Sequence, residues 1–412
     1  MATTPGRLRL LSIAATVAIV VAWVVVLGAV SHRRAGVTAV ATRSEPSVVL
    51  AQRIQTELTD ADSSAANGFL AGGLEPGAQV QRYQQGLASA ADDLAQAAAQ
   101  SGSAGPVRTI AEQMAVYAGL VQAAKADNRQ GLPVGAAYLR SASQVLHTQI
   151  LPAAAALAQG SAHRLDSGAG AATALADVLA VLAVTVLALA ALVATQVFLS
   201  RRTRRALNIG LALSTVAVVA LGSLVLAGLA SERSALVSAD EHGYASAARL
   251  AQAEVLAFQA RGDESQALIA RGNGRVYDAD FDAAVAALRS ALASAAGSVT
   301  TVQGVQAVQA AGPALTAYVA LDGAIRAADA RGAHDEAVAI AVGAAPGGSN
   351  PVFDTLRGAL SSGVTSEQAA FATEAASARH RLGPLPVIAT VAAALAAILA
   401  LAGVQPRIDE YR

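Results

Sequence analysis

Four stretches of the chain are apolar and uncharged, and they alternate with long segments that mix apolar and polar positions. The uncharged stretches are residues 10–30, 178–198, 206–230 and 384–404. About 20 apolar residues in a helix cross the hydrocarbon core of a bilayer, where every backbone polar group must be bonded within the chain. The pattern therefore predicts four transmembrane helices. For the first stretch a cleaved signal peptide is the alternative, although its apolar run exceeds the usual length of about 7–15 residues.

The two long segments between these stretches, 32–177 and 231–383, have apolar residues at steps of three and four, which predicts amphipathic helices. One stripe consists of Leu50, Ile54, Leu58, Ala61, Ala65 and Phe69, and another of Val352, Leu356, Leu360 and Val364. The second stripe follows Asn350, a predicted N-cap, and Pro351, a predicted first helical residue. Glycine-rich breaks divide each segment into four helices, and long helices joined by short turns pack as antiparallel bundles.

The predicted fold class is therefore an all-α membrane protein with four transmembrane helices and two extracytoplasmic antiparallel four-helix bundles in tandem. The first and last helices of each bundle are expected to run on into membrane helices. A ligand or partner that presses on a bundle could then shift helices through the bilayer.

The orientation follows from the sequence RRTRR at 201–205, which occupies the one short loop between apolar stretches. Short loops rich in arginine stay on the cytoplasmic side, whereas long loops cross largely regardless of charge. The loop, the N-terminus and the C-terminal tail together hold eight arginines against Asp409 and Glu410. The predicted order is a cytoplasmic N-terminus (1–9), TM1 (10–31), bundle 1 (32–177), TM2 (178–200), a cytoplasmic basic loop (201–205), TM3 (206–230), bundle 2 (231–383), TM4 (384–404) and a cytoplasmic tail (405–412). The basic residues His32, Arg33 and Arg34 just after the first helix conflict with this orientation.

The two long segments also resemble each other. Tyr117, Lys125 and Gly131 recur as Tyr318, Arg326 and Gly332 at a constant offset of 201 residues. The spacing of Tyr83 and Leu94 recurs in Tyr277 and Leu288. We interpret the chain as a tandem duplication of one module, a membrane helix, a bundle and a second membrane helix.

The chemistry of the sequence indicates no enzyme. Cysteine is absent, and the six histidines lack metal-ligand spacing. The run DADFD at 278–282 resembles the start of a calcium loop but lacks its later glycine and glutamate, so acidic residues in the first turn of a helix are the plainer interpretation. The predicted membrane helices contain no charged residue away from their ends, which disfavours a transporter. No catalytic residue, cofactor, metal or nucleic-acid partner is predicted.

Two surfaces are candidates for binding. Outside, Lys125, Arg129 and Arg140 could receive a carboxylate ligand or a partner, with solvated turn residues as the alternative. Inside, the basic loop and the tail could dock a partner, with an orientation anchor that binds anionic membrane lipid as the alternative. The cytoplasmic docking candidates are Arg201, Arg202, Arg204, Arg205, Arg407, Asp409, Glu410, Tyr411 and Arg412.

The sequences NRQGLPVGAAYLRSAS with ILPAAAAL downstream, SNPVFDTLRGAL and the terminal PRIDEYR resemble the actinobacterial GlnX-like membrane proteins. That resemblance implies a signalling protein that acts with a periplasmic-type glutamine-binding lipoprotein outside and the soluble Ser/Thr protein kinase G inside. It would relay external aspartate or glutamate availability to nitrogen metabolism.

From the residues themselves, two classes of function remain. One is a non-enzymatic sensor and signal transducer, because so little cytoplasmic chain must pass its signal to a separate protein. The other is a structural or accessory subunit of an envelope or transport complex that does not switch. The plasma membrane is the expected location in both cases, and homodimerisation stays open.

Overall fold

The structure, a computed structural model, describes residues 4–39, 45–72, 75–100, 104–172, 175–203, 208–238, 245–345 and 347–409. These residues form helices and contain no strand, which confirms the predicted all-α class. The helices are α1 (Thr4–Ala39), α2 (Glu45–Leu70), α3 (Gly77–Gln100), α4 (Ala104–Arg129), α5 (Val134–Val145), α6 (Leu151–Ala172), α7 (Leu175–Thr203), α8 (Ile209–Ser238), α9 (Ala245–Ile269), α10 (Arg275–Ala296), α11 (Val302–Ala330), α12 (His334–Ala341), α13 (Ser349–Leu382) and α14 (Leu385–Asp409), with a π-helical turn (Leu146–Ile150) between α5 and α6.

The chain divides into two compact units. The first, which we call the membrane unit, comprises Met1–Ala41, Asp166–Val237 and Glu374–Arg412. The second, which we call the bundle unit, comprises Thr42–Leu165 and Ser238–Thr373. Among the described helices, α1, α7, α8 and α14 are long and apolar enough to cross a membrane, as the uncharged stretches predict.

Small residues allow close packing in the membrane unit. Gly210 of α8 lies so near Gly403 of α14 that a Cβ atom built on Gly210 would come within 2.7 Å of the Gly403 Cα atom. One turn along α8, the Ser214 hydroxyl donates a hydrogen bond of 2.8 Å to the Ala396 carbonyl oxygen. Helices in a bilayer associate through such small-residue contacts and hydrogen bonds, because burial against lipid supplies little driving force.

Two of the three basic residues that follow the first apolar stretch, His32 and Arg33, have partners within the membrane unit. Arg33 is fully buried, where its guanidinium group lies 3.4 Å from the Asp177 carboxylate of α7 and donates a hydrogen bond of 3.2 Å to the Leu229 carbonyl oxygen of α8. The His32 ring nitrogen lies 3.3 Å from the same carboxylate. A buried charge must be paired, and the contacts of Arg33 join three helices.

The bundle unit is built around two neighbouring helices, α2 of the first segment and α9 of the second. Each packs against the next helix in its own segment, α3 or α10, and α2 also packs against α9. The stripe predicted on α2 is buried at Leu50, Ile54, Leu58, Ala61 and Ala65. The two predicted bundles therefore share one compact unit.

The second segment departs from the predicted helix count and boundaries. An additional short helix, α12, precedes α13, which begins at Ser349, so Asn350 lies inside the first turn and does not cap it. The predicted continuity between α13 and α14 is also wrong, because the chain leaves the helix at Gly383 and Pro384. Proline disfavours helical backbone at the preceding residue, which explains the break. The other three junctions with membrane helices include residues outside the described ranges.

Two buried polar clusters hold α13 in place, and the first surrounds Arg261 of α9. Its guanidinium group pairs with Glu264, donates to Asn350 and donates a 2.7 Å hydrogen bond to the Ser349 hydroxyl. It also donates a 2.8 Å hydrogen bond to the Ala341 carbonyl oxygen at the end of α12. One side chain thus connects three helices.

The second cluster surrounds the buried carboxylate of Glu367 on α13. The backbone N–H groups of Thr300 and Thr301 donate hydrogen bonds of 3.0–3.2 Å to it, and both threonine hydroxyls and the Ser246 hydroxyl also donate. Burial acts to raise the pKa of Glu367, but the hydrogen bonds from Thr301 and Thr300 outweigh it and lower the pKa. Glu367 therefore stabilises the start of α11 as a charged acceptor.

Candidate functional site: a polar cleft in the bundle unit

Both segments place a cation against two aromatic rings at equivalent positions. Lys125 lies 4.4 Å from the centroid of the Tyr83 ring, which in turn lies 6.5 Å from the Tyr117 ring. The counterpart stack places Arg326 4.9 Å from the Phe281 centroid, with Tyr318 5.9 Å further on. The repeat at offset 201 thus has a structural basis.

The stack also corrects the predicted match between Tyr83 and Tyr277. Phe281 occupies the position equivalent to Tyr83, one helical turn further along α10. Tyr277 instead lines a cleft.

The predicted ligand-binding residues of the first segment do not share one site. Lys125 is buried and its ammonium group lies 2.8 Å from the Glu75 carboxylate, so its charge is used inside the fold. Arg129 is exposed at the end of α4. Of the three, Arg140 lines the cleft described below.

The acidic run at 278–282 has a structural role in the other segment. Asp278 and Asp282 lie 3.5 Å and 3.1 Å from the Arg326 guanidinium group, which also pairs with Asp322 at 2.7 Å. Among the described residues no group of three or more His, Asp or Glu side chains is placed to hold a metal ion. Asp278 and Asp282 of this run therefore pair with Arg326, the cation of the second stack.

A cleft of about 930 Å³ lies between α2, α5 with its π-helical turn, α9 and α10. Both segments of the bundle unit therefore contribute walls. The lining residues are Thr59, Asp62, Ala137, Arg140, Ser141, Ser143, Gln144, His147, Leu256, Phe258, Gln259, Gly262, Asp263, Gln266, Tyr277, Asp280, Ala283, Ala284 and Ala287. Ligand sites in proteins commonly have a volume of about 300–1,000 Å³ and a few convergent polar groups, and this cleft has both properties.

A chain of hydrogen bonds fixes the floor of the cleft at Asp62. The Tyr117 hydroxyl donates to the Asp62 carboxylate at 3.1 Å, and the Ser143 hydroxyl donates to it at 2.9 Å. Gln266 then donates its Nε2 to the Ser143 oxygen at 3.2 Å. Burial raises the pKa of Asp62, while His147 and these hydroxyl groups act to lower it.

Asp263 is the equivalent of Asp62 at the repeat offset of 201, and it lines the same cleft. Burial and the neighbouring carboxylates of Asp280 and Asp62 raise the pKa of Asp263 to about 7. In the described part of the chain Asp263 has neither a hydrogen bond nor an ion pair. Carboxyl groups perturbed in this way within a cleft are candidates for a functional role.

The sequence contained a signal for this pair that the sequence-based prediction missed. Asp62 and Asp263 share the offset of Tyr117 and Tyr318. Acidic residues on an amphipathic helix are usually solvated, so nothing in either segment alone distinguishes them. The shared offset would have selected them.

On the opposite side of the α2–α9 pair, between α2, α9 and α13, lies a smaller cleft of about 240 Å³. Burial raises the pKa of its carboxyl groups Glu57 and Glu254 to about 7 in each case. Near it, Arg82 of α3 and Asp354 of α13 form an ion pair of 2.8 Å. That pair joins the two segments on this side, whereas Arg140 has no ion pair with Asp280 on the side of the larger cleft.

The predicted cytoplasmic docking residues lie largely outside the described part of the structure. Arg201 is exposed near the end of α7, and Arg202 belongs to the same helix although its side chain is not described. Arg407 and Asp409 belong to the last turns of α14, also without described side chains. Arg204, Arg205, Glu410, Tyr411 and Arg412 lie outside the described residues. The Asn208 side chain donates a hydrogen bond to the Gly403 carbonyl oxygen, so the chain just after the loop contacts the helix that leads into the tail.

These features define the class of the molecule as an all-α membrane protein with a separate helical unit that contains a polar cleft. Residues 36–170 match the model of a family described as an actinobacterial sensor domain. The match runs from the last residues of α1 to nearly the end of α6, less than half of the chain, and it suggests a sensing role without catalysis. No curated protein and no solved structure matches the chain.

Proposed function

We propose that this protein is a non-enzymatic transmembrane sensor whose bundle unit receives an external signal and changes the contacts of a cytoplasmic partner. The cleft between the two segments is the observation that carries the proposal. Because its walls come from α2 and α5 on one side and α9 and α10 on the other, a bound molecule would alter the packing of the segments. Each segment is connected along the chain to two apolar helices, so such a change has a covalent path to the membrane.

The proposed orientation places the bundle unit outside and the basic loop and both termini in the cytoplasm, as a multi-pass protein of the plasma membrane. The arginines at 201–205 support this orientation, since arginine in a short loop resists translocation. The burial of Arg33 against Asp177 also supports it, because one of the three conflicting basic residues is neutralised within the helix packing.

Reporter fusions test this topology. Fusions near residues 100 and 300 should report an external location, and fusions at residue 203 and at the C-terminus a cytoplasmic one. Substitution of the four loop arginines by serine should lower the fraction of correctly oriented protein, because each arginine contributes to retention of the loop. A cytoplasmic report from residue 100 would refute the orientation.

The proposed input and output follow from the GlnX-like resemblance. The input is external aspartate or glutamate, carried to the bundle unit by a solute-binding lipoprotein. The output is a soluble cytoplasmic Ser/Thr protein kinase that contacts the basic loop and the tail. The hydrogen bond from Asn208 to Gly403 supports a single docking surface, because it keeps the ends of these two segments together.

Deletion of residues 406–412 tests the output. The fourth candidate span ends at Gln405, so the truncated protein should insert normally. Phosphorylation of the kinase's targets should no longer respond to external aspartate or glutamate. A second variant keeps the tail length and replaces only its charged residues with serine, which separates the effect of the charges from the effect of chain length. Normal responses from both the truncated chain and a correctly inserted loop variant would refute the docking surface.

A structural or accessory subunit is the second proposal, and it shares the topology. The contacts of Arg33 with α7 and α8 favour it, since they join three membrane helices to one another. The two proposals differ in crosslinking of the loop to its partner. A sensor changes its crosslinking yield when the external amino acid is added, whereas an accessory subunit does not. The same experiment, with crosslinks between two copies of the chain, decides whether a homodimer forms.

A further inference from the structure

Within the described part of the chain, the larger cleft contains hydrogen-bond acceptors to which no protein group donates. Asp263 and Gln266 lie three residues apart on α9, a spacing that puts side chains on the same face of a helix. Both line the cleft. Gln266 is only 4% exposed, and its Oε1 has no hydrogen-bond partner among the described residues.

The orientation of the Gln266 amide follows from its neighbours. The Ser143 hydroxyl has one proton, and it donates that proton to the Asp62 carboxylate at 2.9–3.0 Å. Ser143 can therefore only accept from Gln266, which must present its Nε2. No described residue donates to the Oε1, and a buried acceptor in this state costs about 1–3 kcal/mol.

The charges around this acceptor are predominantly negative. Asp263 shares the cleft with Asp62 of α2 and with Asp280 and Tyr277 of α10. Arg140 and His147 line the wall formed by α5 and its π-helical turn. Asp62 is satisfied by its hydroxyl donors, but Asp263 and Asp280 have no ion pair with Arg140 in the described residues. A ligand that supplies several donors and a positive charge would satisfy the unpaired acceptors together.

We propose that this cleft binds a small organic molecule with a primary ammonium group, which donates to the Asp263 carboxylate and to Gln266 Oε1. An ammonium group has three donors and no acceptor, which matches an acceptor-rich wall. Phe258, Ala284 and Ala287 provide an apolar wall for the methylene groups of such a ligand. Arg140 can receive a carboxylate if the ligand carries one, so diamines and basic amino acids share the required chemistry.

This inference refines the proposed sensing role and rests on it for its biological meaning. Free aspartate and glutamate carry a net negative charge and would be repelled by Asp263 and Asp280. These acidic amino acids would then act through the binding protein, while the cleft receives a different, amine-bearing signal.

Isothermal titration of the full chain in lipid nanodiscs at pH 8 tests the inference, with 1,4-diaminobutane, L-lysine and L-glutamate as probes. The first two should bind, and L-glutamate should bind at least about tenfold more weakly. The substitution Asp263→Asn keeps the side-chain shape but removes the charge, and it should weaken amine binding about tenfold or more, since a charge-assisted hydrogen bond is lost. Asp92→Asn removes an exposed carboxylate of α3 that does not line the cleft and should leave the affinity unchanged.

A second variant tests the location independently of charge. Ala287→Trp fills the cleft from the exposed face of α10 and should abolish binding of both amines. Affinity of the wild-type chain should also fall as the pH is lowered from 8 to 6, because a carboxyl with a pKa of about 7 takes up a proton in this range and no longer pairs with the ammonium group.

Failure to bind either amine, equal binding of L-glutamate, or undiminished amine binding by Asp263→Asn would overturn the inference. These outcomes are separate from those of the sensor proposal. A chain that binds amines through Asp263 but leaves its partner contacts unchanged would retain the site and refute the sensor. A chain that responds to external aspartate without binding amines would refute the site and retain the sensor.

Discussion

Replacement of Arg261 by alanine should destabilise the packing of α9 against α12 and α13 by about 3–5 kcal/mol, the usual cost of removing one partner of a buried ion pair. Alanine preserves the helix, so the effect comes from the lost contacts. The Glu264 carboxyl would lose its counter-ion in a buried site, where burial already raises its pKa. The Ser349 hydroxyl, the Asn350 side chain and the Ala341 carbonyl oxygen would lose a donor as well.

Hydrogen exchange of the full chain in nanodiscs measures this effect locally, because a chain of two units need not unfold in one step. Exchange in peptides from α12 and from the start of α13 should accelerate by at least about a hundredfold, the equivalent of about 3 kcal/mol. Arg331→Ala is the matched control, since Arg331 also pairs with a glutamate, Glu336 at 3.3 Å, but both side chains are exposed. An exposed pair contributes about 0–1 kcal/mol. Equal effects of the two substitutions would show that the Arg261 cluster does not stabilise α13.

Replacement of Glu367 by glutamine should destabilise the start of α11 by about 2–3 kcal/mol, because hydrogen bonds to a charged group contribute about 1.5–3 kcal/mol each and one acceptor oxygen becomes a donor. The new amide nitrogen would face N–H and O–H groups of Thr300, Thr301 and Ser246 that all donate to the native carboxylate. Gln and Glu have nearly the same shape, so packing is unchanged. Exchange in peptides from α11 should report the loss.

The pH dependence of this difference gives a second test. The pKa of Glu367 lies below its ordinary value of 4.5 in the folded chain, so its stabilising effect is complete above about pH 4.5 and disappears as the pH falls through the lowered pKa. The difference in the stability of α11 between wild type and Glu367→Gln should therefore be largest near neutral pH and become smaller in acid. Glu374→Gln, an exposed position on the same helix, should show no such difference at either pH. A difference for Glu367→Gln that persists unchanged in strong acid would contradict the charged-acceptor role.

The sequence predicts the elements of this fold well where local pattern decides them. The stripe on α2 and the four apolar stretches are examples, since helical periodicity and span length are properties of short segments. The additional helix α12 was not predicted, because it is only eight residues long and lies between glycine-rich turns. The break at Pro384 is not evident from the sequence, because the apolar stripe continues across it and proline is well tolerated at the start of a helix.

The site was harder to predict because its residues are brought together by packing between segments. Of the predicted binding residues, Arg140 lines the cleft, whereas Lys125 is an internal partner of Glu75. Asp263 and Gln266 belong to a helix whose polar residues look solvated in the sequence. Only the contact of α9 with α2 and α5 makes them neighbours of Ser143 and Asp62.

The ion pair between Arg82 and Asp354 has a consequence for how the molecule can evolve. Two identical subunits arranged in the same way would carry two equal clefts, and every mutation would alter both at once. In a single chain the two sides can diverge. Here one side has the ion pair and the small cleft, while the other has a wide cleft whose Arg140 forms no ion pair with a described residue. Selection can then adjust ligand affinity in the wide cleft without weakening the Arg82–Asp354 ion pair on the other side.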